Sequence, residues 1–303
     1  MLFLPSKRGS GRSIRLLYRA FLVFTLLFGK NNIYYAGTPI LKFGRRMEMN
    51  RKLTVAFLVV FVMLFVGCPL SSTYANPNGA GPSDLQRVVF IHYAKANAKP
   101  PAKETGYYKL IGAKWKSFPV SLEVNPSGSG LDKEFVIRAI GLAAEEWDSG
   151  AYSRLEGIDW YGVAPDLFDD TIGTTSKGYD DLAWTSDKLD GCNTIVWGDY
   201  PTDGVIAVTI LWYDRATKTI VEFDIVFDTD YMWGDATGDS NVMDLQNIAT
   251  HELGHGVGLG DVYQSTAYQE TMYGYSDYGE TSKRDLYIGD KTGVTKLYGA
   301  ASA

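Results

Sequence analysis

The stretch His-Glu-Leu-Gly-His-Gly-Val-Gly-Leu-Gly-Asp occupies residues 251–261 and decides both the fold and the site. The residues from about Asp244 to Val257 are predicted to form one helix, which Gly258 ends. Positions four apart on a helix lie on the same face, one turn from each other, so His251 and His255 are expected to point the same way. The stretch therefore predicts a helix with two neighbouring imidazoles, followed by a sharp turn.

Two imidazoles at this spacing suit a zinc ion, and a catalytic zinc commonly has three protein ligands. Gly258 permits a positive φ, so the chain can turn back and bring Asp261 toward the metal. A carboxylate is an acceptable ligand, and His92 is the one imidazole left in a chain with three histidines. We therefore predict His251, His255 and Asp261 as ligands of one catalytic zinc. The alternative for Asp261 is a loop aspartate that only caps the turn.

Glu252 follows the first predicted ligand directly. Zinc lowers the pKa of a bound water to about 7 and polarises a carbonyl. A carboxylate beside the metal can take a proton from that water and give it to the leaving amine. Glu252 is therefore the predicted catalytic residue of an amide hydrolysis. The alternatives are a chance occurrence of the pattern in a core helix and a zinc domain without catalysis.

The whole pattern His-Glu-x-x-His-x-x-Gly-x-x-Asp resembles that of the metzincins, a clan of zinc metalloproteases. Their usual third ligand is histidine, and Asp261 makes this chain similar to snapalysin-like enzymes. Thr271–Gly274 resembles the Met-turn, a tight turn whose methionine lies under the zinc site. Gly289–Gly299 resembles the C-terminal helix of the matrixins. The likeness spans roughly residues 107–299 and implies a matrixin-like zinc endopeptidase, although no cysteine between Ala75 and Gly191 offers the matrixin cysteine switch.

The predicted elements agree with an α+β fold, and the resemblance implies a mixed twisted sheet with an active-site helix, a Met-turn and a C-terminal helix. Ile220–Phe227 alternates and is predicted to be half-exposed. Ile206–Tyr213 is the candidate edge strand for binding an extended peptide. The other predicted strands are Val88–His92, Phe118–Val124 and Thr194–Trp197, and the other helices are Asp132–Trp147 and Lys291–Tyr298, the second with Asp290 as its cap.

The N-terminal part contains a targeting segment. Basic residues at Met49–Lys52 precede an apolar run from Leu53 to Gly67, and a polar stretch follows to Ala75, which predicts a signal peptide cleaved after Ala75. An uncleaved anchor and a lipid on Cys68 are the alternatives. Residues 1–46 are interpreted as a doubtful upstream extension, with a two-pass leader as the alternative. Residues 47–75 are then the signal peptide or anchor, 76–106 a linker or short prosegment, and 107–303 the catalytic domain.

The remaining expectations concern location and partners. The targeting segment predicts a protein that is secreted or anchored at the outer face of the cell membrane. A net charge of −6 without a basic stripe excludes nucleic acid as a partner, which leaves protein or peptide substrates, with membrane contact only through the N-terminal segment. No disulfide framework is predicted, because Cys68 lies in the targeting segment and only Cys192 remains.

Three interpretations stay open. His92 is interpreted as structural; were residues 76–106 an inhibitory prosegment, His92 or a nearby acid would occupy the zinc. Calcium is a further candidate ion at the acidic loops Asp228–Asp230 and Asp235–Asn241, where solvated carboxylates are the commoner explanation. The rival functions are a non-catalytic zinc-containing surface binding module and a zinc amidase acting on non-peptide amides.

Overall fold

A computed structural model of the protein describes residues 84–95, 107–150 and 166–299. The predicted signal peptide and the upstream extension lie outside these residues. Within them, no helix is both long enough and apolar enough to cross a bilayer. The helices are α1 (Lys133–Glu145), α2 (Leu245–Gly256) and α3 (Ile288–Tyr298), and the strands are β1 (Leu85–Ala94), β2 (Lys109–Leu110), β3 (Leu122–Val124), β4 (Gly173–Thr174), β5 (Asn193–Gly198), β6 (Val205–Asp214), β7 (Thr219–Asp228), β8 (Trp233–Gly234), β9 (Met243–Asp244), β10 (Leu259–Gly260) and β11 (Tyr275–Ser276).

Seven strands form one mixed sheet in the order β11-β1-β6-β7-β5-β3-β4. Strands β4, β3, β5 and β7 run parallel to one another, β6 is antiparallel to β7, and β1 is antiparallel to β6. Apolar side chains of α1, α2 and the sheet share one core, which includes Ile140, Leu253 and Phe223. Helices packed on a mixed sheet confirm the predicted α+β class.

Helices α1 and α2 begin where the sequence predicts. The Asp132 side chain accepts hydrogen bonds from the backbone N–H groups of Glu134 and Phe135, and Asp244 caps α2 in the same way. These aspartates satisfy amides that have no partner inside their helices. The predicted strand Phe118–Val124 was too long, since only Leu122–Val124 is a strand.

The predicted start of the last helix was wrong. Helix α3 begins at Ile288 with Tyr287 as its N-cap, so Asp290 lies inside the first turn. Its carboxylate accepts from the backbone N–H groups of Thr271 and Met272. Asp290 therefore holds a distant loop as well as its own helix end.

The prediction that β7 is half-exposed was also wrong. Glu222 and Asp224 are both 2% exposed, because the chain around residues 183–191 covers the polar face of the strand. The Glu222 carboxylate accepts from the amides of Asp190 and Gly191, and Asp224 accepts from Ala183 and Thr194. Burial, with the nearby charge of Asp224, raises the pKa of Glu222 to about 8. Burial likewise raises the pKa of Asp224 to about 7.

Glu222→Gln is expected to change how stability depends on pH. Because the folded pKa of Glu222 is raised, the native state holds a proton that the unfolded state has released, so the wild-type free energy of unfolding falls as the pH rises from about 5 to 8. Glutamine cannot ionise, so the variant should be more stable than the wild type at pH 8, by on the order of 1–3 kcal/mol, and similar at pH 5. Urea unfolding at both pH values measures this, with the exposed Glu145→Gln as control. A difference between variant and wild type that is independent of pH would contradict the account.

The expectation about disulfides was wrong as well. Cys192 is disulfide-bonded, and its partner lies outside the described residues. The side chain itself is buried, 5% exposed, at the start of β5.

Candidate metal centre and active site

The turn after α2 brings the three predicted ligands together. Gly258 has φ +105°, and a Cβ there would lie 2.6 Å from the carbonyl oxygen of Ala113, so the position requires glycine. The chain then runs back through β10. Asp261 Oδ1 comes within 3.2 Å of His251 Nε2 and 3.4 Å of His255 Nε2.

The second ring nitrogen of each histidine fixes the ring. His251 Nδ1 lies 2.7 Å from the carbonyl oxygen of Thr271, and His255 Nδ1 lies 3.0 Å from that of Leu259. A carbonyl oxygen only accepts, so each Nδ1 carries the hydrogen and donates it. The lone pair on each Nε2 is then directed at Asp261, which is the orientation that metal-binding histidines adopt.

The three facing atoms fit a zinc ion. His251 Nε2, His255 Nε2 and Asp261 Oδ1 are all buried and have no hydrogen-bond partner. A buried polar atom without a partner costs about 1–3 kcal/mol, so three that converge on one point call for a cation. Two imidazole nitrogens and one carboxylate oxygen are a zinc donor set that leaves a position open. Burial acts to raise the pKa of Asp261, but the adjacent imidazoles of His255 and His251 outweigh it and hold that pKa well below its usual range.

Glu252 lies next to this centre and is fully buried. Its Oε1 is 3.1 Å from His92 Nδ1, and its Oε2 accepts a 2.6 Å hydrogen bond from Thr209 Oγ1. Burial lowers the pKa of His92 to about 4, aided by the charge of His251, so His92 is a neutral imidazole that donates through Nδ1. Burial acts to raise the pKa of Glu252, but the His92 hydrogen bond and the charge of His251 outweigh it and lower that pKa, which keeps Glu252 ionised.

Two other groups of ligand-type side chains occur in the described part of the chain. His92, His251 and Glu252 form one, but both Glu252 oxygens already have partners, so it fits a metal less well than the cluster with Asp261. Asp199, Asp228 and Asp230 form the other, and nothing else marks these mostly exposed carboxylates as a cation site. In the second candidate calcium loop, Asp235 binds Arg284 and Thr237.

The loop with Met272 lies directly under α2. Met272 is fully buried, and a Cβ at Gly254 would collide with its sulfur. The carbonyl oxygen of Met272 accepts a 2.9 Å hydrogen bond from the amide of Val262, the residue after Asp261. The same loop supplies the Thr271 carbonyl that orients His251, so the predicted Met-turn supports two predicted ligands, His251 and Asp261.

Sequence reasoning missed two residues of the site. His92 was interpreted as structural, yet all three histidines of the chain meet here, since the His92 ring lies 3.9 Å from that of His251. The scarcity of histidine in the sequence was the one feature that could have pointed to His92. Thr209 carried no signal, because a threonine within a strand of β-branched residues is unremarkable in sequence.

The comparisons with known proteins agree with this geometry. The sequence profile described as matrixin matches residues 199–299, which include α2, Asp261 and the Met-turn. Human matrix metalloproteinase-25 is 25% identical over 199 residues, 64% of this chain and 31% of that protein. The Metalloendoproteinase 1-MMP of Arabidopsis thaliana is 32% identical over 150 residues, 46% of this chain and 35% of that protein.

Human Matrilysin is 34% identical over 123 residues, 40% of this chain and 43% of that protein. The chain thus spans about a third of the length of the first two relatives and less than half of the third. The likeness is therefore to part of each relative.

Proposed function

We propose that this matrixin-like metzincin is a zinc-dependent endopeptidase, with His251, His255 and Asp261 as metal ligands and Glu252 as the catalytic base. The observation that carries the proposal is the convergence of three buried ligand atoms without hydrogen-bond partners beside an ionised, buried carboxylate. The match of residues 199–299 to the matrixin profile supports the same reading.

The zinc ion and the groups of the protein have separate roles in the proposed reaction. A zinc ion held by His251, His255 and Asp261 would supply Lewis acidity to a water molecule and to the scissile carbonyl. Glu252, kept ionised by its neighbours, takes a proton from the attacking water and passes it to the nitrogen of the leaving amine. The carbonyl oxygens of Thr271 and Leu259 keep His251 and His255 in the tautomer that leaves Nε2 for the metal.

The substrates in this proposal are proteins or peptides, which fits the match of residues 199–299 to the matrixin profile and the similarity to metalloproteinases. The basic and apolar segment at residues 49–75 supports a location outside the cytoplasm for the proposed enzyme, either secreted or anchored at the outer face of the membrane. No nucleic acid enters the proposal, given the net charge of −6.

Casein digestion tests the proposed function. Because Glu252 is covered in the observed arrangement, the protein is assayed intact and after cleavage at a protease site inserted between Lys95 and Tyr107. We expect one zinc per chain, casein cleavage that a chelator abolishes, and recovery when zinc is restored. One bound zinc without cleavage in either form would favour the non-catalytic binding module. Cleavage restricted to non-peptide amides would favour the amidase.

A further inference from the structure

Strand β1 lies between two walls of the candidate site. Residues Leu85–Tyr93 pair antiparallel with β6, the strand that carries Thr209. At its C-terminal end β1 also pairs parallel with β11, where Tyr93 lies opposite Tyr275 and Ala94 opposite Ser276. Strand β11 begins three residues after Met272. β1 therefore lies between β6 and the segment that follows the Met-turn.

Two side chains of β1, two residues apart, cover the His-Glu-x-x-His motif on α2. The Phe90 ring stacks on His255 with centroids 4.0 Å apart and planes 7° apart. The His92 ring lies 3.9 Å from His251, and its Nδ1 lies 3.1 Å from Glu252 Oε1. Side chains two apart on a strand share a face, so one face of β1 touches both predicted histidine ligands and the predicted base.

This arrangement leaves no room for the proposed reaction. Glu252 is 0% exposed, and His92 and Thr209 occupy its two oxygens. A water held by Glu252 would need the place that His92 takes. The edge of β6, which the sequence predicted as the peptide-binding edge, is paired with the chain's own strand along nearly its whole length.

We infer that residues 85–94 occupy the peptide-binding groove of the site, between β6 and β11, and that displacing them opens it. The inference rests on the proposed function. It adds the class of ligand that the groove binds and the way in which access to the groove is regulated. The ligand is an extended polypeptide that adds one strand, antiparallel to β6 and parallel to β11, with planar side chains against His255 and His251. His92 acts as the group that blocks Glu252.

Most residues of β1 are only partly buried, which is compatible with displacement of the strand from the sheet. His92 is its one fully buried residue, Arg87 is exposed, and the others are half-buried, whereas nearly every residue of β6 is buried. β1 supplies only partly buried side chains to the hydrophobic clusters: Phe90 and Ala94 to the main core, and Val89, Ile91 and Tyr93 to a smaller cluster. The core of helices and sheet therefore remains when β1 is displaced, and β6 becomes the free edge.

Cleavage between Lys95 and Tyr107, followed by reduction of the Cys192 disulfide and removal of the released peptide, tests the inference. With zinc bound, the opened protein should cleave casein at least about tenfold faster than the intact protein, since a hydrogen bond to a charged group and two ring contacts no longer hold the strand. The double variant Phe90→Ala/His92→Ala in the intact chain should also be faster. Gln86→Ala, on the same strand but away from the cluster, serves as the matched control and should behave like the wild type.

A binding assay separates the groove from catalysis. A fluorescent peptide of residues 84–95 should bind the opened protein and not the intact one, and its Kd should rise about tenfold or more when it carries alanine at positions 90 and 92. Circular dichroism of the opened protein and of the double variant checks that both remain folded.

The outcomes distinguish the two claims. Equal casein cleavage by intact and opened protein, or peptide binding that is the same for both, would overturn the inference and leave the endopeptidase in place. Peptide binding to the opened protein, with one zinc bound and no cleavage, would support the groove and refute the proposed function. If the opened protein unfolds, the double variant decides: wild-type cleavage by that variant overturns the inference, and faster cleavage supports it.

Discussion

Glu252→Gln should lose casein cleavage by at least about a hundredfold while keeping one zinc per chain. Glutamine has nearly the same shape but cannot take a proton from water, and general acid–base catalysis typically contributes about 10²- to 10⁴-fold. The zinc content should not change, because the three predicted ligand atoms belong to His251, His255 and Asp261 and the substitution removes none of them. The measurement is the initial rate with the opened protein, together with metal analysis.

Glu222→Gln is the matched control for this variant, since it also replaces a buried glutamate, but on β7, where the carboxylate accepts from the amides of Asp190 and Gly191. It should keep wild-type cleavage. A Glu252→Gln protein that still cleaves within about tenfold of the wild type would remove Glu252 as the base and leave the metal centre without its assigned proton acceptor.

Asp261→Ala should weaken zinc binding by about a hundredfold or more. Loss of residues that merely support a metal ligand commonly costs about 10- to 100-fold in affinity, and Asp261 is predicted to be a ligand itself. Asp261→His should recover much of the zinc affinity, because histidine is the usual third ligand in the metzincins, which this chain resembles. Competition with a chromophoric chelator measures both variants.

The exposed Asp277→Ala is the control for Asp261→Ala, since it removes the same negative charge from a position beyond β11. It should bind zinc like the wild type. Zinc affinity that is unchanged in Asp261→Ala would take Asp261 out of the ligand set and return it to a turn-capping role.

The parts of the site that the sequence predicted are those that local geometry determines. His251 and His255 follow from the helical repeat, and Asp261 follows from a positive φ at Gly258. All three lie within eleven residues of one another, and the Met-turn follows shortly after. Short-range rules were therefore sufficient to place them together.

The parts that the sequence missed depend on contacts between distant residues. Glu252 meets His92 across 160 residues and Thr209 across 43, and only the β1–β6 register brings them there. Alternation predicts which face of β7 is polar, but it cannot show that residues 183–191 cover that face. Asp290 satisfies the usual pattern of a helix cap, yet it also binds the amide of Met272, 18 residues earlier.

Anomalous diffraction at the zinc edge, from crystals of the zinc-loaded protein, tests the metal centre most directly. The account predicts one peak per chain at about 2.0–2.2 Å from His251 Nε2, His255 Nε2 and Asp261 Oδ1. A peak that lies on His92 and Glu252, or one that His251 and His255 hold without Asp261, would contradict it.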